Sequence, residues 1–318
     1  MKPHHANDLM ASSQPRHLHT PAFRYFAAVV EYGSIRGAAR ELNVASSAVN
    51  RQILWLEQSL GADLFDRIGR RLQLSPAGEI LIRHVRETLH DYEATLAEID
   101  GLRGLRRGTV RIATVESVSE TILPALIEEF RAAYPLIRVI VTIGSSEKVA
   151  RDVEMTTVDI GFTFNPPASR ALDITMRREL QIGALMAQEH PLAGNKKISI
   201  DDCLDYPLAL PSHGLSLRAG LDQLLADYRE KASVLIESNS LRFMKAIVQD
   251  GKTIAFQTAI GLEGDLDTGN LVFKPLSDGS DAREELVVVI RSGRTLRLAP
   301  DMFHELAQAR IAALIHEI

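Results

Sequence analysis

The chain has 318 residues, of which 46% are hydrophobic, and a formal net charge of −5. This length exceeds one average domain and predicts two or three folded units, with enough apolar residues to build their cores. The single cysteine, Cys203, excludes an internal disulfide and a Cys-cluster metal site. No apolar run reaches membrane-spanning length and no signal peptide is visible, so we expect a cytoplasmic protein without a membrane partner.

Residues 1–20 differ in composition from the rest of the chain. Four histidines lie there among Pro, Ser, Asn and Gln, with little apolar periodicity. This composition predicts a disordered extension, with a histidine-rich metal-binding tract as the alternative. Because the patterned region begins only near Pro21, the native start is either Met1 or Met10.

Residues 21–60 show the pattern of three helices with a tight turn between the second and the third. Ser34 is a good N-cap for a second helix over 35–42, and Asn43 and Val44 form the turn. A third helix is expected from Ser46 to Leu60. Apolar residues recur at helical spacing in the first and third helices at Phe23, Phe26, Val29, Val30, Val49, Ile53, Leu56 and Leu60.

The opposite face of the third helix is polar. Small polar groups and an arginine suit an element that must approach base edges in a DNA major groove. The side chains expected to contact bases or nearby phosphates are those of Arg40, Ser46, Ser47, Asn50 and Arg51.

Residues 64–74 predict a basic β-hairpin beside this helix. Two short strands flank a turn that carries Arg67, Arg70 and Arg71, and together with Arg36 these residues are expected to grip the DNA backbone. The alternative for any single arginine is a solvated surface charge. Residues 1–108 hold 14 Lys and Arg against 12 Asp and Glu, so this part is locally positive although the whole chain is acidic. We therefore expect residues 21–78 to form a winged helix-turn-helix domain.

A longer set of residues in this region resembles one family. The set comprises Gly33-Ser34, Ala38-Ala39, Leu42, Ala48-Val49, Arg51-Gln52-Ile53, Leu56-Glu57, Leu60-Gly61, Leu64-Phe65, Arg67 and Ser75-Pro76-Ala77-Gly78. In order and spacing it is similar to the N-terminal domain of LysR-type transcriptional regulators. Ser46, Ser47 and Asn50 depart from the residues that the family often has there. They keep hydrogen-bonding capacity, so the departures affect which operator is read and not whether DNA is bound.

Residues 75–104 predict a long helix that Ser75 caps. Its apolar residues follow alternating steps of three and four, the pattern of two helices packing together, while the rest of the circumference is polar. A core stripe in a globular domain is the alternative. The expected dimerisation residues are Ile82, Val85, Leu89, Tyr92, Leu96 and Ile99.

After a hinge rich in Arg and Gly, residues 109–318 alternate between strands and helices and predict an α/β module. We expect lobe I over 109–164 and 271–318, and lobe II over 165–270. This pattern is similar to the two-lobed, type-2 periplasmic-binding-protein-like effector domain of LysR-type regulators. The resemblance therefore covers about residues 21–318.

Ligands of such folds bind at helix N-termini beyond the carboxyl ends of strands. The residues expected to bind an effector there are Thr114, Ser117, Ser119, Ser145, Ser146, Thr163, Ser212, Ser216 and Phe256. Each serine is equally compatible with a plain helix cap. The resemblance implies a small-molecule effector in the cleft between the lobes, with a small organic anion as the default.

The sequence therefore predicts an α/β protein that regulates transcription. No catalytic or metal-binding constellation has suitable spacing, and no cofactor is expected. The resemblance implies double-stranded DNA with a dyad operator as a partner, a homodimer or homotetramer, and RNA polymerase as a further candidate partner. The alternative is a small-molecule binding protein or enzyme on the same two-lobed fold with a degenerate DNA-binding domain.

Overall fold

The structure is a computed structural model that describes residues 21–68, 71–101, 107–228, 231–277, 283–293 and 295–316. The extension expected over 1–20 lies outside the described residues. So do the side chains at 67, 68, 71, 97, 98, 100, 101 and 312–316. The chain forms two compact units, which divide between Tyr92 and Glu93.

Three helices and a hairpin build the first unit, in the order that the sequence predicts. They are α1 (Pro21–Tyr32), α2 (Ile35–Glu41), α3 (Ser46–Leu60), β1 (Phe65–Ile68) and β2 (Arg71–Leu74). The Ser34 hydroxyl oxygen caps α2 by accepting a hydrogen bond from the Gly37 N–H at 3.0 Å. Asn43, with φ 52°, adopts the left-handed conformation that asparagine tolerates and forms the turn before α3. The strands pair antiparallel, with Phe65 opposite Leu74.

A long helix, α4 (Pro76–Gly101), begins after Ser75 as predicted. The Ser75 hydroxyl accepts a hydrogen bond from the Gly78 N–H at 3.0 Å and donates one to the Asp63 carbonyl at 2.6 Å. A Cβ at Gly78 would lie 2.1 Å from the Leu64 carbonyl oxygen, so this close approach requires glycine. The start of α4 is thereby fastened to the segment before the hairpin.

The apolar seam of α4 does not form one exposed surface. Ile82 and Val85 are fully buried within the chain itself, so the prediction that they face a partner helix is wrong. Leu89 and Leu96 are half-buried, and Ile99 is 41% exposed. Steps of three and four place residues on one helix face but do not say whether a core or a partner covers that face. The core-stripe alternative thus applies to the first two positions.

The first sheet of the second unit has five strands: β3 (Gly108–Thr114), β4 (Ile137–Ile143), β5 (Ile160–Phe164), β6 (Leu172–Gln181) and β12 (Arg283–Arg291). Their order is β4-β3-β5-β12-β6. The accompanying helices are α5 (Glu116–Glu120), α6 (Ile122–Ala133), α7 (Ser146–Glu154) and α12 (Leu298–His316). The buried rings of Phe130 and Phe303 join α6 to α12, with their centroids 5.1 Å apart.

The second sheet also has five strands: β7 (Gly183–Ala187), β8 (Leu208–Pro211), β9 (Val234–Ser238), β10 (Ile254–Gln257) and β11 (Leu271–Pro275). Their order is β11-β7-β10-β8-β9. Its helices are α8 (Ile200–Cys203), α9 (Ser216–Leu224), α10 (Leu241–Ile247) and α11 (Glu263–Asp267), with 3-10 turns at Ala226–Tyr228 and Val248–Asp250. Strands β7, β8 and β10 are buried throughout, which explains their continuous apolar runs.

The lobe boundaries differ from those expected at two places. β6, expected in lobe II, pairs with β12 along Arg283–Arg291 and therefore extends the first sheet. β11, expected in lobe I, pairs with β7 and belongs to the second sheet. The alternation of a strand reveals which face is buried but not which strand lies beside it. Lobe I thus contains β3 to β6 and β12, and lobe II contains β7 to β11.

No helix among the described residues is long and apolar enough to cross a membrane. The described part of the chain also holds no group of three His, Cys, Asp or Glu side chains arranged to bind a metal ion. Cys203 is buried and forms no disulfide.

Candidate functional site

The third helix presents its polar face outward, as the sequence predicts. Ser46, Ser47 and Arg51 are exposed, and Asn50 is half-buried. On the other side, Val49, Ile53 and Leu56 are buried and fix the helix to the first unit. The exposed surface of α3 also includes Leu54 and Trp55, the latter 50% exposed, which the sequence analysis did not single out.

The N-terminus of α3 is open. Its N-cap residue is Ala45, which forms no side-chain cap, so the first backbone N–H groups of a 15-residue helix have no capping side chain. Arg36 and Arg40 on α2 are exposed, and neither forms a salt bridge with any described residue. An uncapped helix start with free cations on the preceding helix attracts anions such as phosphate groups. This surface is suited to a nucleic acid backbone.

The hairpin forms as predicted, with Arg67 opposite Leu72 and Ile68 opposite Arg71. Arg70 lies outside the described residues, as do the side chains of Arg67 and Arg71. Their contact with a DNA backbone therefore stays a prediction.

A second candidate site is a cleft between the two lobes of the second unit, with a volume of about 580 Å³. It lies beyond the carboxyl ends of β3 and β10, where the starts of α5, α7, α9 and α10 meet. Four of the nine predicted effector residues line it: Ser117, Ser145, Ser146 and Ser216. A cavity of this size, with a mixed polar and apolar wall, is typical of small-molecule sites.

The other five predicted residues do not line this cleft. Thr114 and Thr163 are fully buried, and their hydroxyls donate to the backbone carbonyls of Val115 and Ser146. Phe256 is fully buried in the core of lobe II. Ser119 lines a neighbouring groove, and Ser212 lies outside the cleft wall. The Ser212 N–H continues the β8–β9 pairing through a bond to the Ser238 carbonyl.

The residues beside some of these errors do line the cleft. Phe164 and Gln257 each follow a wrongly chosen residue by one position. Successive side chains on a strand point to opposite faces, so a choice displaced by one residue selects the core instead of the cavity. The sequence pattern thus predicts the right strand ends, but it does not show which of their side chains face the cleft.

Glu284 is the most unusual group of the cleft. It lies near the start of β12, is only 3% exposed, and accepts hydrogen bonds from the Ser216 hydroxyl at 2.7 Å and the Asn165 amide at 2.8 Å. Burial raises the pKa of this carboxyl from 4.5 to about 7, although both hydrogen bonds lower it. Ser216 belongs to lobe II and Glu284 to lobe I, so this contact joins the lobes.

Glu116 makes a second connection between the lobes. Its carboxylate, at the start of α5, accepts hydrogen bonds from the Ser240 hydroxyl at 2.9 Å and the Leu241 N–H at 2.7 Å. Beside it, Lys245 on α10 pairs with Glu120 of lobe I and with Asp265, 2.9 Å away. Burial is the largest single influence on the pKa of Lys245 and lowers it, but these hydrogen bonds and ion pairs together raise the pKa above its ordinary value.

The charge of the cleft does not match the expected anionic effector. Its lining contains the carboxylates of Glu116, Glu147 and Glu284, and no Lys or Arg among the described lining residues. Glu116 directly follows a predicted strand, so the sequence held a signal for it. Glu284 is separated from Ser216 by 68 positions, and only the fold brings them together.

Comparison with known proteins places both units. A model of the lysR family of bacterial regulatory helix-turn-helix proteins matches residues 21–79, and a model of the LysR substrate binding domain matches residues 103–312. The regulator CbbR of Rhodospirillum rubrum is 29% identical over 308 residues, which cover 96% of this chain and 98% of that protein.

Two solved structures share the fold. Full-length OxyR of Pseudomonas aeruginosa, in a form with one cysteine replaced by aspartate, has a TM-score of 0.66 at 18% identity and covers 92% of this chain and 95% of its own. Full-length CbnR in complex with its target DNA has a TM-score of 0.60 at 19% identity, with 91% and 98% coverage. Both resemble this chain in its helix-turn-helix and in its two-lobed module.

Proposed function

The chain belongs to the LysR family of DNA-binding transcriptional regulators, and we propose that its α3 reads a dyad operator while the cleft in its second unit binds the controlling effector. The observation that carries this proposal is the open, polar N-terminal half of α3, with free arginines beside it. The rival hypothesis, a binding protein or enzyme, requires a degenerate DNA-binding domain. Such a domain would be expected to lose the polar face of α3 and its arginines. Regulation rather than catalysis is the activity that we propose, in the cytoplasm where DNA is available.

Within the interface, the residues divide by their chemistry. Asn50 can accept from adenine N6 and donate to N7, and Arg51 can bind a guanine edge or a phosphate. Ser46 and Ser47 present hydroxyls and backbone N–H groups at the helix start, where a phosphate binds well. Arg36 and Arg40 add charge that fixes the orientation of the unit on the duplex.

Reading a dyad requires two copies of α3, one helical turn of DNA apart, or about 34 Å. We propose that the seam residues of α4 that are not fully buried supply the dimer contact, namely Leu89, Tyr92, Leu96 and Ile99. Ile82 and Val85 are excluded because they are buried in one chain alone.

The effector would act by favouring one arrangement of the two lobes. A ligand shifts a conformational equilibrium only by the difference between its affinities for the two states. The cleft is suited to this because its walls come from both lobes, with Ser145 in lobe I and Ser216 in lobe II. CbbR, similar along its whole length, carries the name of an HTH-type transcriptional regulator, which supports a regulatory function for this chain.

The test is a mobility shift of the full-length protein on its own upstream DNA, across a salt series. Arg51→Ala should weaken specific binding about tenfold to a hundredfold, since a base or phosphate contact contributes about 1–3 kcal/mol. Arg138→Ala, which removes an exposed arginine of the second unit, is the matched control and should bind as the wild type does. Equal affinity of the wild type for the upstream DNA and for random duplex would contradict the proposal.

A further inference from the structure

The described lining of the interlobe cleft contains three carboxyl groups and no Lys or Arg. Among its described lining residues, Glu116 and Glu284 form no salt bridge, and the only other ionisable side chain besides Glu147 is His213. Glu147 is 66% exposed and pairs with Arg151 on the same helix at 2.8 Å. The carboxyl groups of the lining without a salt bridge are therefore the two that connect the lobes.

Several of the polar groups that an anionic ligand would contact are already bonded to these two carboxyl groups. Helix N-termini attract anions through their free N–H groups. At the start of α10, the Glu116 carboxylate takes the N–H of Leu241 and the hydroxyl of Ser240. At the start of α9, Ser216 donates its hydroxyl to Glu284. Of the other two helix starts at the cleft, that of α7 is capped by Ser145, which accepts the Lys148 N–H at 3.3 Å. That of α5 has no side-chain cap and carries Glu116 itself in its first turn.

Gln257 supplies an independent sign of what the cleft lacks. This side chain ends β10, lines the cleft and is 3% exposed. Its amide oxygen Oε1 is buried and accepts no hydrogen bond from any described residue. A buried acceptor without a donor is unfavourable, and native structures usually satisfy such groups. If the amide turned toward the cleft, a ligand that donates hydrogen bonds would satisfy this oxygen.

We infer that the effector is a small organic cation carrying a protonated amine. This inference rests on the proposed function, in which the cleft holds the effector. An ammonium group has three donors and no acceptor. Each carboxylate has about four lone-pair sites and uses two of them within the protein, so Glu116 and Glu284 can still accept from a ligand. The apolar wall, which includes Phe164 and Leu217, suits a short hydrocarbon chain.

The experiment uses three matched series of probes with the full-length protein. They are linear α,ω-diamines, diols and dicarboxylates of the same chain lengths, measured by titration calorimetry at constant ionic strength. We expect diamines of at least one length to bind with millimolar or better affinity, and the diols and dicarboxylates of that length to bind more weakly. Tighter binding of dicarboxylates, or binding of no diamine at millimolar concentration, overturns the inference.

Variants connect the binding to the cleft. Glu284→Gln and Gln257→Leu should each weaken the diamine about tenfold, because each removes one acceptor. Glu128→Gln, at an exposed carboxylate on α6, controls for loss of overall negative charge and should bind as the wild type does. Equal affinity in all three variants would place the diamine elsewhere and overturn the inference.

A DNA-binding measurement distinguishes failure of the proposed function from failure of the inferred ligand class. Mobility shifts of the wild type on its upstream DNA are run with and without the same probes. If the protein binds diamines but shows no preference for its upstream DNA, the ligand class is supported and the regulator proposal is contradicted. If dicarboxylates, and not diamines, change the mobility shift of the DNA complex, the regulator proposal is supported and the inferred ligand class is overturned.

Discussion

The helix starts of the two units have opposite electrostatic character. In the first unit α3 begins at Ser46, its N-cap residue Ala45 provides no side-chain cap, and exposed hydroxyls lie beside it. In the second unit the starts of α9 and α10 contact Glu284 and Glu116, which belong to the other lobe. The backbone N–H groups at the start of α3 are thus open to an external anion, whereas at the start of α10 the Leu241 N–H is bonded to an internal carboxylate. A helix N-terminus indicates an anion site only when the protein leaves it unoccupied.

The largest expected effect comes from giving α3 the carboxylate that the cleft helices have. Ser46→Glu should reduce affinity for the upstream DNA more than about a hundredfold, because a negative charge then faces the phosphates. The fold should be unharmed, since a carboxylate near a helix N-terminus stabilises the helix by about 0.3–1 kcal/mol. Fluorescence anisotropy with labelled DNA measures the first quantity, and thermal unfolding followed by circular dichroism measures the second.

Gln58→Glu is the matched control, because it adds the same charge near the other end of α3. Its DNA affinity should fall much less than that of Ser46→Glu, since the N-terminal residues of a recognition helix approach the bases. Similar losses in both variants would show that net charge matters and that the open helix start does not.

A smaller effect, on stability, is expected from removing the carboxylate that contacts the start of α10. Glu116→Ala leaves the Ser240 hydroxyl and the Leu241 N–H without their acceptor and should lower the free energy of unfolding by about 2 kcal/mol. Glu147→Ala removes an exposed carboxylate of the same cleft and should change it by less than about 0.5 kcal/mol. Urea denaturation of the full-length proteins measures both. Equal values for the two variants would mean that Glu116 does not hold the lobes together.

The smallest effect concerns pH. Glu284 has a pKa of about 7 in the folded chain against an ordinary value of 4.5, so the folded state binds more protons between these limits. Stability should therefore fall as the pH rises from about 4.5 to about 7 and should be lowest above that range. Glu284→Gln should remove this loss, which amounts to about 1–2 kcal/mol at pH 8, below the ceiling of about 3 kcal/mol that the pKa shift allows.

Thermal unfolding of Glu284→Gln and the wild type at pH 5 and pH 8 tests this expectation. The variant should be the more stable of the two at pH 8 and about equal at pH 5, where Glu284 is protonated in the folded state. A variant that is less stable than the wild type at pH 8 would show that the ionised carboxylate is favourable in the free cleft. That result would argue against an unsatisfied negative charge there.

The sequence by itself determined the first unit almost completely. The three helices, the caps at Ser34 and Ser75, the hairpin and the polar face of α3 all depend on residues close together in the chain. Helical periodicity, capping and turn chemistry are local properties, so they can be read from a short segment. The sequence also identified the strand ends that surround the cleft, because short apolar runs with polar residues after them are local as well.

Only the tertiary structure decided which groups meet. Ile82 and Leu89 share one helical pattern, but burial separates a core residue from a surface residue. β6 and β11 each lie in the lobe opposite to the predicted one, because strand pairing depends on residues far apart in the chain and is not encoded in one strand. Glu284 reached Ser216 from 68 positions away, and Glu116 reached Leu241 from 125. Which charged groups line the cleft depends on such long-range contacts, so only the tertiary structure identifies them.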